Sequence, residues 1–179
     1  GEGGHVVTTS SMSGILPTEG GGAGAYTATK FAVVGLMEIL RSELDAAKAN
    51  VGASVYCPGL VATNIYELEK NVSAAFGEKD KAGPADAAAN TARIRQIIGA
   101  GMDPLEAGQI VLQGIRNNDL FILSHPEFGP GLQERMEALI ASVPATSAPA
   151  ARLAQEQVTM RNSLYPRERD KLRARRRTA

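Results

Sequence analysis

The sequence predicts an α/β fold built on a parallel sheet. Three observations carry that expectation: short β-branched and apolar segments that read as buried strands recur along the chain, stretches of helical periodicity separate them, and the two kinds alternate in order. With 179 residues, 44% of them hydrophobic, the chain has material for one sizeable core.

The first strand is "HVVTTS", His5 to Ser10, bounded by glycines before it and by "SSMSG" after it. From about Gly24 to Lys48 the apolar residues Phe31, Val34, Leu36, Met37, Leu40 and Leu44 recur at three- and four-residue steps, which predicts a long helix. "GASVYCPG", Gly52 to Gly59, is a second buried strand, cut off by Pro58 and Gly59. Ala-rich helical pieces follow, broken by Gly77, Gly83, Pro84, Gly99 and Gly101, and a stretch this long between elements reads as a lid over about residues 64–101. "DPLEAGQIVLQGIRNND" opens like a helix, with Asp103 as N-cap, Pro104 at the first helical position and Glu106 three after the cap. "LFILSH", Leu120 to His125, is the third strand, and "PEFGPGLQERMEALIASV" supplies a further helix after its turn. Residues 1–143 therefore read as one domain and 144–179 as a Pro/Ala/Ser-rich linker with a polar, basic tail, expected to be a solvated terminus.

Composition narrows the function classes. The 19 basic residues balance the 19 acidic ones, which gives no overall attraction to nucleic acid or to an anionic membrane. No apolar run approaches the roughly 20 residues of a membrane span, and there is no signal-peptide pattern, so a cytoplasmic location is expected. Cys57, the single cysteine, reads as a small buried strand residue. His5 and His125 lie far apart at strand edges without metal-ligand spacing; they receive no role, and no metal site is expected. The chain opens on "GEGGHVV", with glycine instead of methionine, and enters a strand at once, as the later part of a longer protein would.

Within this frame Tyr26 and Lys30 stand four residues apart, one helical turn, where a glycine-rich loop gives way to the long helix. Ligands in an open parallel sheet bind beyond the carboxyl ends of the strands, and there the "TSSMSG" turn, Tyr26 and the "CPGLVATN" turn converge. A free phenol, with a pKa of about 10, is about one part in a thousand ionised at neutral pH, and a nearby ammonium favours its anion, as acid/base catalysis requires.

These residues resemble the short-chain dehydrogenase/reductase family: "SSMSG" after a strand, "YTATK" as its Tyr-x-x-x-Lys helix, and "CPGLVAT" as the Pro-Gly turn after the next strand. The resemblance covers Gly4 to Asn64 and continues more loosely to Val143. It implies a doubly wound, Rossmann-like sheet, NAD or NADP as cofactor, and interconversion of a secondary alcohol and a ketone. It implies Ser11 as the substrate-orienting serine, Tyr26 as the acid/base and Lys30 as the partner of the nicotinamide ribose. Main-chain groups around Pro58, Gly59 and Val61, with the Thr63 hydroxyl, would hold the carboxamide. The loop between Ser11 and Tyr26 is about two residues longer than the family's commonest spacing, which keeps Ser13 as a second candidate for the serine. Ile65 and Tyr66, with Leu68, line a substrate pocket or pack the lid on itself. The family's glycine-rich phosphate loop and its catalytic asparagine would lie before Gly1, so these 179 residues alone are expected to bind cofactor weakly or not at all and to be inactive. The outer face of the Tyr26 helix, with Ala32, Val33 and Gly35, is where the resemblance implies contact with a second subunit. The reading from another class is a truncated or degenerate relative that serves only as a non-catalytic binding or scaffolding module.

Overall fold

The computed structural model describes residues 2–17, 23–65, 84–160 and 162–178, with 84–91, 158–159 and 178 described by backbone alone. In chain order its elements are β1 (Gly4–Thr9), α1 (Gly24–Ala46), β2 (Val51–Cys57), α2 (Pro84–Gly99), α3 (Pro104–Arg116), β3 (Phe121–Leu123), α4 (Gly129–Ala141), α5 (Ala150–Thr159) and α6 (Leu164–Thr178). Short 3-10 turns follow β1 at Met12–Gly14 and β3 at Pro126–Phe128.

The strands form one three-stranded parallel sheet in the order β1-β2-β3. The register runs from Gly4 opposite Val51 to Thr9 opposite Tyr56, and from Val55 opposite Phe121 to Cys57 opposite Leu123. The centre strand, β2, is buried on both faces, and its period of two divides the core. Ala53, Val55 and Cys57 point to one face, where they meet Val34 and Met37 of α1, with Met12 from the turn after β1. Tyr56 points to the other, where Ile122 of β3 and Ala107 of α3 cover it, with Val7, Ile110 and Val111 around them. Helices thus pack on both faces, and the fold is the doubly wound parallel architecture that the sequence predicts.

α3 starts as the sequence requires: the Asp103 carboxylate accepts hydrogen bonds from the Leu105 and Glu106 N–H groups at 2.8 and 3.2 Å, with Pro104 in the first turn. It ends at Asn117 and Asn118, where Asn118 turns the chain with φ 53°, a conformation that asparagine tolerates better than most residues.

The C-terminal segment differs from the solvated terminus expected of it. α6 docks on the sheet domain through one face: Leu164 and Glu168 are 2% and 3% exposed, and Lys171 and Arg175 follow at helical spacing. The Glu168 carboxylate accepts the Leu120 N–H at 3.1 Å and pairs with Lys171 Nζ at 2.6 Å, with the buried Arg41 guanidinium 3.7 Å away. Arg175 grips both oxygens of Asp119, Arg167 reaches Asp45, and Tyr165 hydrogen-bonds Glu38. Net charge hides this pairing, because the acidic partners lie on α1 and just before β3.

No helix among the described residues is long and apolar enough to cross a membrane.

Candidate active site

The site lies where β1 and β2 end. After Thr9 the chain turns sharply, and the buried Ser10 hydroxyl donates to the Lys30 carbonyl at 2.8 Å, which ties the first turns of α1 to the strand end. Gly14 makes this approach possible: a Cβ there would stand 2.5 Å from Ser10 Oγ and 2.7 Å from the Lys30 carbonyl oxygen. Of the serines in "SSMSG", Ser10 is therefore structural. Ser11, in extended backbone, caps the Met12–Gly14 turn by accepting the Ser13 N–H at 3.2 Å, which leaves the Ser11 hydroxyl proton for donation to another group.

Tyr26 and Lys30 occupy successive turns of α1. The Lys30 ammonium lies 5.5 Å from the centroid of the Tyr26 ring, within cation–π range, so the two side chains share one face as their spacing predicts. Tyr26 is 49% exposed.

The second wall is the turn after β2. Pro58 accepts the Met12 N–H at 2.8 Å, which joins the two strand-end turns, and Val61 forms a parallel bridge with Met102 through Met102 N–H to Leu60 O and Ala62 N–H to Met102 O, both at 2.9 Å. The Val61 N–H has no hydrogen-bond partner among the described residues. Thr63 Oγ1 accepts the Ile65 N–H at 3.4 Å, which leaves its own proton to donate.

Ser11, Ser13, Tyr26, Lys30, Pro58, Gly59, Val61, Thr63 and Ile65 all line one cavity of about 550 Å³. Tyr66 and Leu68, the remaining expectations from sequence, lie outside the described residues. The cavity adds residues that sequence reading does not single out: Met12, Tyr56, Leu60, Ile98 of α2, Ala107 of α3, and Phe128. Tyr56 could have been found from the strand period, since its neighbour Cys57 faces the opposite way; Ile98 and Phe128 carry no local signal.

Cys57, adjacent to this site, has no exposed surface, and burial pushes its thiol up to about 11, which excludes it as a nucleophile at neutral pH. His5 bonds the Ser54 hydroxyl at 2.7 Å between the paired strands β1 and β2, with its pKa lowered by burial and then by the Arg41 charge.

Residues 1–72 match the family model described as short chain dehydrogenase. Over 143 residues the chain is 33% identical to the C alpha-dehydrogenase of a Sphingobium species, an alignment covering 80% of this chain and 45% of that protein. A short chain dehydrogenase/reductase from Burkholderia phymatum, solved in complex with NAD, superposes with a TM-score of 0.69 at 26% identity, over 83% of this chain and 52% of that one. A putative short-chain dehydrogenase from Novosphingobium aromaticivorans gives 0.64 at 29% identity, over 95% and 49%. The family model, the relatives and the solved structures agree in supporting a member of the short-chain dehydrogenase/reductase family of oxidoreductases. It spans about half the length of the curated relatives it matches, 45% and 47% of the first two.

Proposed function

We propose that these residues form the catalytic and nicotinamide-facing part of an NAD- or NADP-dependent oxidoreductase that interconverts a secondary alcohol and a ketone. The observation that carries this reading is the convergence of Ser11, Tyr26, Lys30 and the Pro58–Thr63 turn on one cavity.

The residues present fit a nicotinamide dinucleotide. The Val61 N–H, without a partner among the described residues, and the Thr63 hydroxyl are donors suited to a carboxamide, and the Lys30 ammonium is a donor suited to ribose hydroxyls. When bound, the dinucleotide supplies or takes up the hydride. The chain's own groups handle the oxygen and its proton. In the reducing direction Ser11 donates its hydroxyl proton in a hydrogen bond to the substrate carbonyl oxygen, and Tyr26 transfers its phenolic proton to that oxygen as charge develops on it. The Lys30 ammonium stabilises the phenolate left behind. In the oxidising direction the phenolate takes the proton back.

The cavity wall is mainly apolar, with Met12, Leu60, Ile65, Ile98 and Phe128 around the polar cluster, which suits an alcohol carried on an apolar or aromatic body. We also propose that α1 meets a second copy of the chain. Leu36 and Ile39 on its outer face are 66% and 55% exposed, whereas Val33, named from sequence for this face, packs partly against the core.

The test is Tyr26→Phe in the whole natural protein. Turnover should fall by about a hundred- to ten-thousandfold, the contribution of general acid–base proton transfer, while cofactor titration is unchanged. Retained turnover refutes the acid/base role. A whole protein that binds neither NAD nor NADP points instead to a scaffolding module.

A further inference from the structure

We propose that His125 is a positioning residue that holds the Gly59–Leu60 peptide segment, and through it Val61, in the geometry the cofactor's carboxamide requires. The proposal rests on the reading of the Pro58–Thr63 turn given above.

His125 follows β3 and is buried, at 9% exposure. Its ring reaches across to the turn after β2 and bonds it twice: Gly59 N–H donates to Nδ1 at 3.1 Å, and Nε2 lies 3.0 Å from the Leu60 carbonyl oxygen. A backbone N–H can only donate, so Nδ1 accepts and carries no proton. The proton then sits on Nε2 and is donated to Leu60 O. The same assignment orders the groups behind the ring. Ser124 Oγ, 2.8 Å from Nδ1, donates to the same lone pair in a three-centre arrangement shared with the Gly59 N–H, and Tyr56 Oη, 3.0 Å from Ser124 Oγ, then donates to Ser124. One imidazole thus satisfies the donor at one end of a dipeptide and the acceptor at the other.

The sequence explains why a side chain does this. β3 ends at Leu123, and Pro126 has no N–H with which to extend a ladder toward the turn. The ring also fixes the identity of residue 59. A Cβ on Gly59 would stand 2.7 Å from both His125 Cδ2 and Phe128 Cε2, so only glycine lets the ring lie flat enough against the backbone to make both bonds. Val61 lies two residues beyond Gly59, and the Met102 bridge holds the peptide groups on both sides of it, at Leu60 O and Ala62 N. Removing the His125 bonds leaves the turn its Met12 and Met102 bonds but takes away its tie to the end of β3, which helps set where Val61 sits in the cavity wall.

The test uses His125→Phe, which keeps an aromatic ring and loses both hydrogen bonds, beside His125→Asn, whose side-chain carbonyl can still accept from Gly59 N–H. In the 179-residue chain, hydrogen exchange at the Gly59 amide should accelerate about tenfold in His125→Phe, the scale of one ordinary hydrogen bond, and less in His125→Asn, while the Val55 amide is unchanged. Nitrogen NMR of the wild-type imidazole should show the Nε2–H tautomer. In the whole protein, cofactor KM should rise about tenfold in His125→Phe with a smaller change in kcat, and His125→Asn should recover part of it. Unchanged Gly59 exchange, or an Nδ1–H tautomer, overturns the clamp. Faster exchange with unmoved cofactor KM, in a protein that Tyr26→Phe still silences, overturns the positioning role and leaves the catalytic reading standing. Should His125→Phe fail to fold, the tautomer and the His125→Asn exchange rate decide.

Discussion

Single residues in this site are fixed by how closely two backbones approach. Gly14 lies where the turn after β1 meets α1, and the atoms an added methyl would strike include a backbone oxygen that cannot move without shifting the helix. Gly14→Ala should therefore cost about 1–3 kcal/mol in denaturant unfolding, the usual penalty of overpacking, and should disturb the Tyr26–Lys30 pair as α1 moves. Gly108, within α3, is the control. Nothing lies within 4 Å of its would-be Cβ, and Gly108→Ala should stabilise the chain by about 0.5–1 kcal/mol through helix propensity. Equal effects at the two positions would contradict the account of Gly14. The residue scale is also where sequence reading separates chemistry from support. "SSMSG" announces a serine for the site, but only the Ser10–Lys30 hydrogen bond shows which of the first two serines is consumed in holding the helix.

Among the elements, α6 is the one whose docking depends most on charge. Burial raises the Asp119 carboxyl, but hydrogen bonds and charge from Arg175 and Lys171 outweigh it, and its pKa is lowered overall. A carboxyl with a depressed folded pKa contributes stability at pH above its ordinary value of about 3.9, and that contribution is lost as pH falls through the folded value. Glu38, raised by burial on α1, works in the opposite sense, so comparison with Asp119→Asn isolates the effect. The wild type should exceed the variant in thermal stability near pH 6, and the two should converge as pH falls below the depressed folded value. A gap that persists in acid would mean that Asp119 acts through packing instead of charge. The same pairing explains what was legible in the sequence. β1, α1, β2, α3 and β3 could be read within a residue or two, because strand alternation, helical period and the Asp103-Pro104 cap are local signals. α6 could not: its face is defined by Glu38, Arg41, Asp45 and Asp119, which are more than 50 positions away, so a local reading saw only surplus arginine. The Tyr-x-x-x-Lys helix and Pro-Gly turn were legible for the opposite reason, being short motifs at strand ends. The cavity's apolar wall from Ile98 and Phe128 is assembled across the chain, and no short motif marks it.

At the scale of the whole molecule, the sheet places its centre strand beyond the reach of solvent and leaves one long helix face uncovered. If Leu36 and Ile39 of α1 cover a second copy, light scattering should give twice the chain mass, and Leu36→Glu should return it to monomer without loss of helix content. A monomeric wild type removes that proposal. Cys57 reports on the other property. It ends β2 between β1 and β3, with no exposed surface, and packs against Met12 and α1 from one side. Burial both hides its sulfur and raises its pKa to about 11, so at pH 8 the thiolate is scarce and unreachable together. Fraying of α6 leaves that sulfur covered, because its cover is α1 together with Met12 of the turn after β1; lifting of that layer from the sheet exposes it. Alkylation should therefore follow global opening, slow in buffer and rising with denaturant at the slope of the equilibrium unfolding curve. Fast labelling without denaturant would mean that α1 or the Met12 turn lifts from β2 in the native state, and the cavity that gathers Ser11, Tyr26 and Lys30 would then lose a wall.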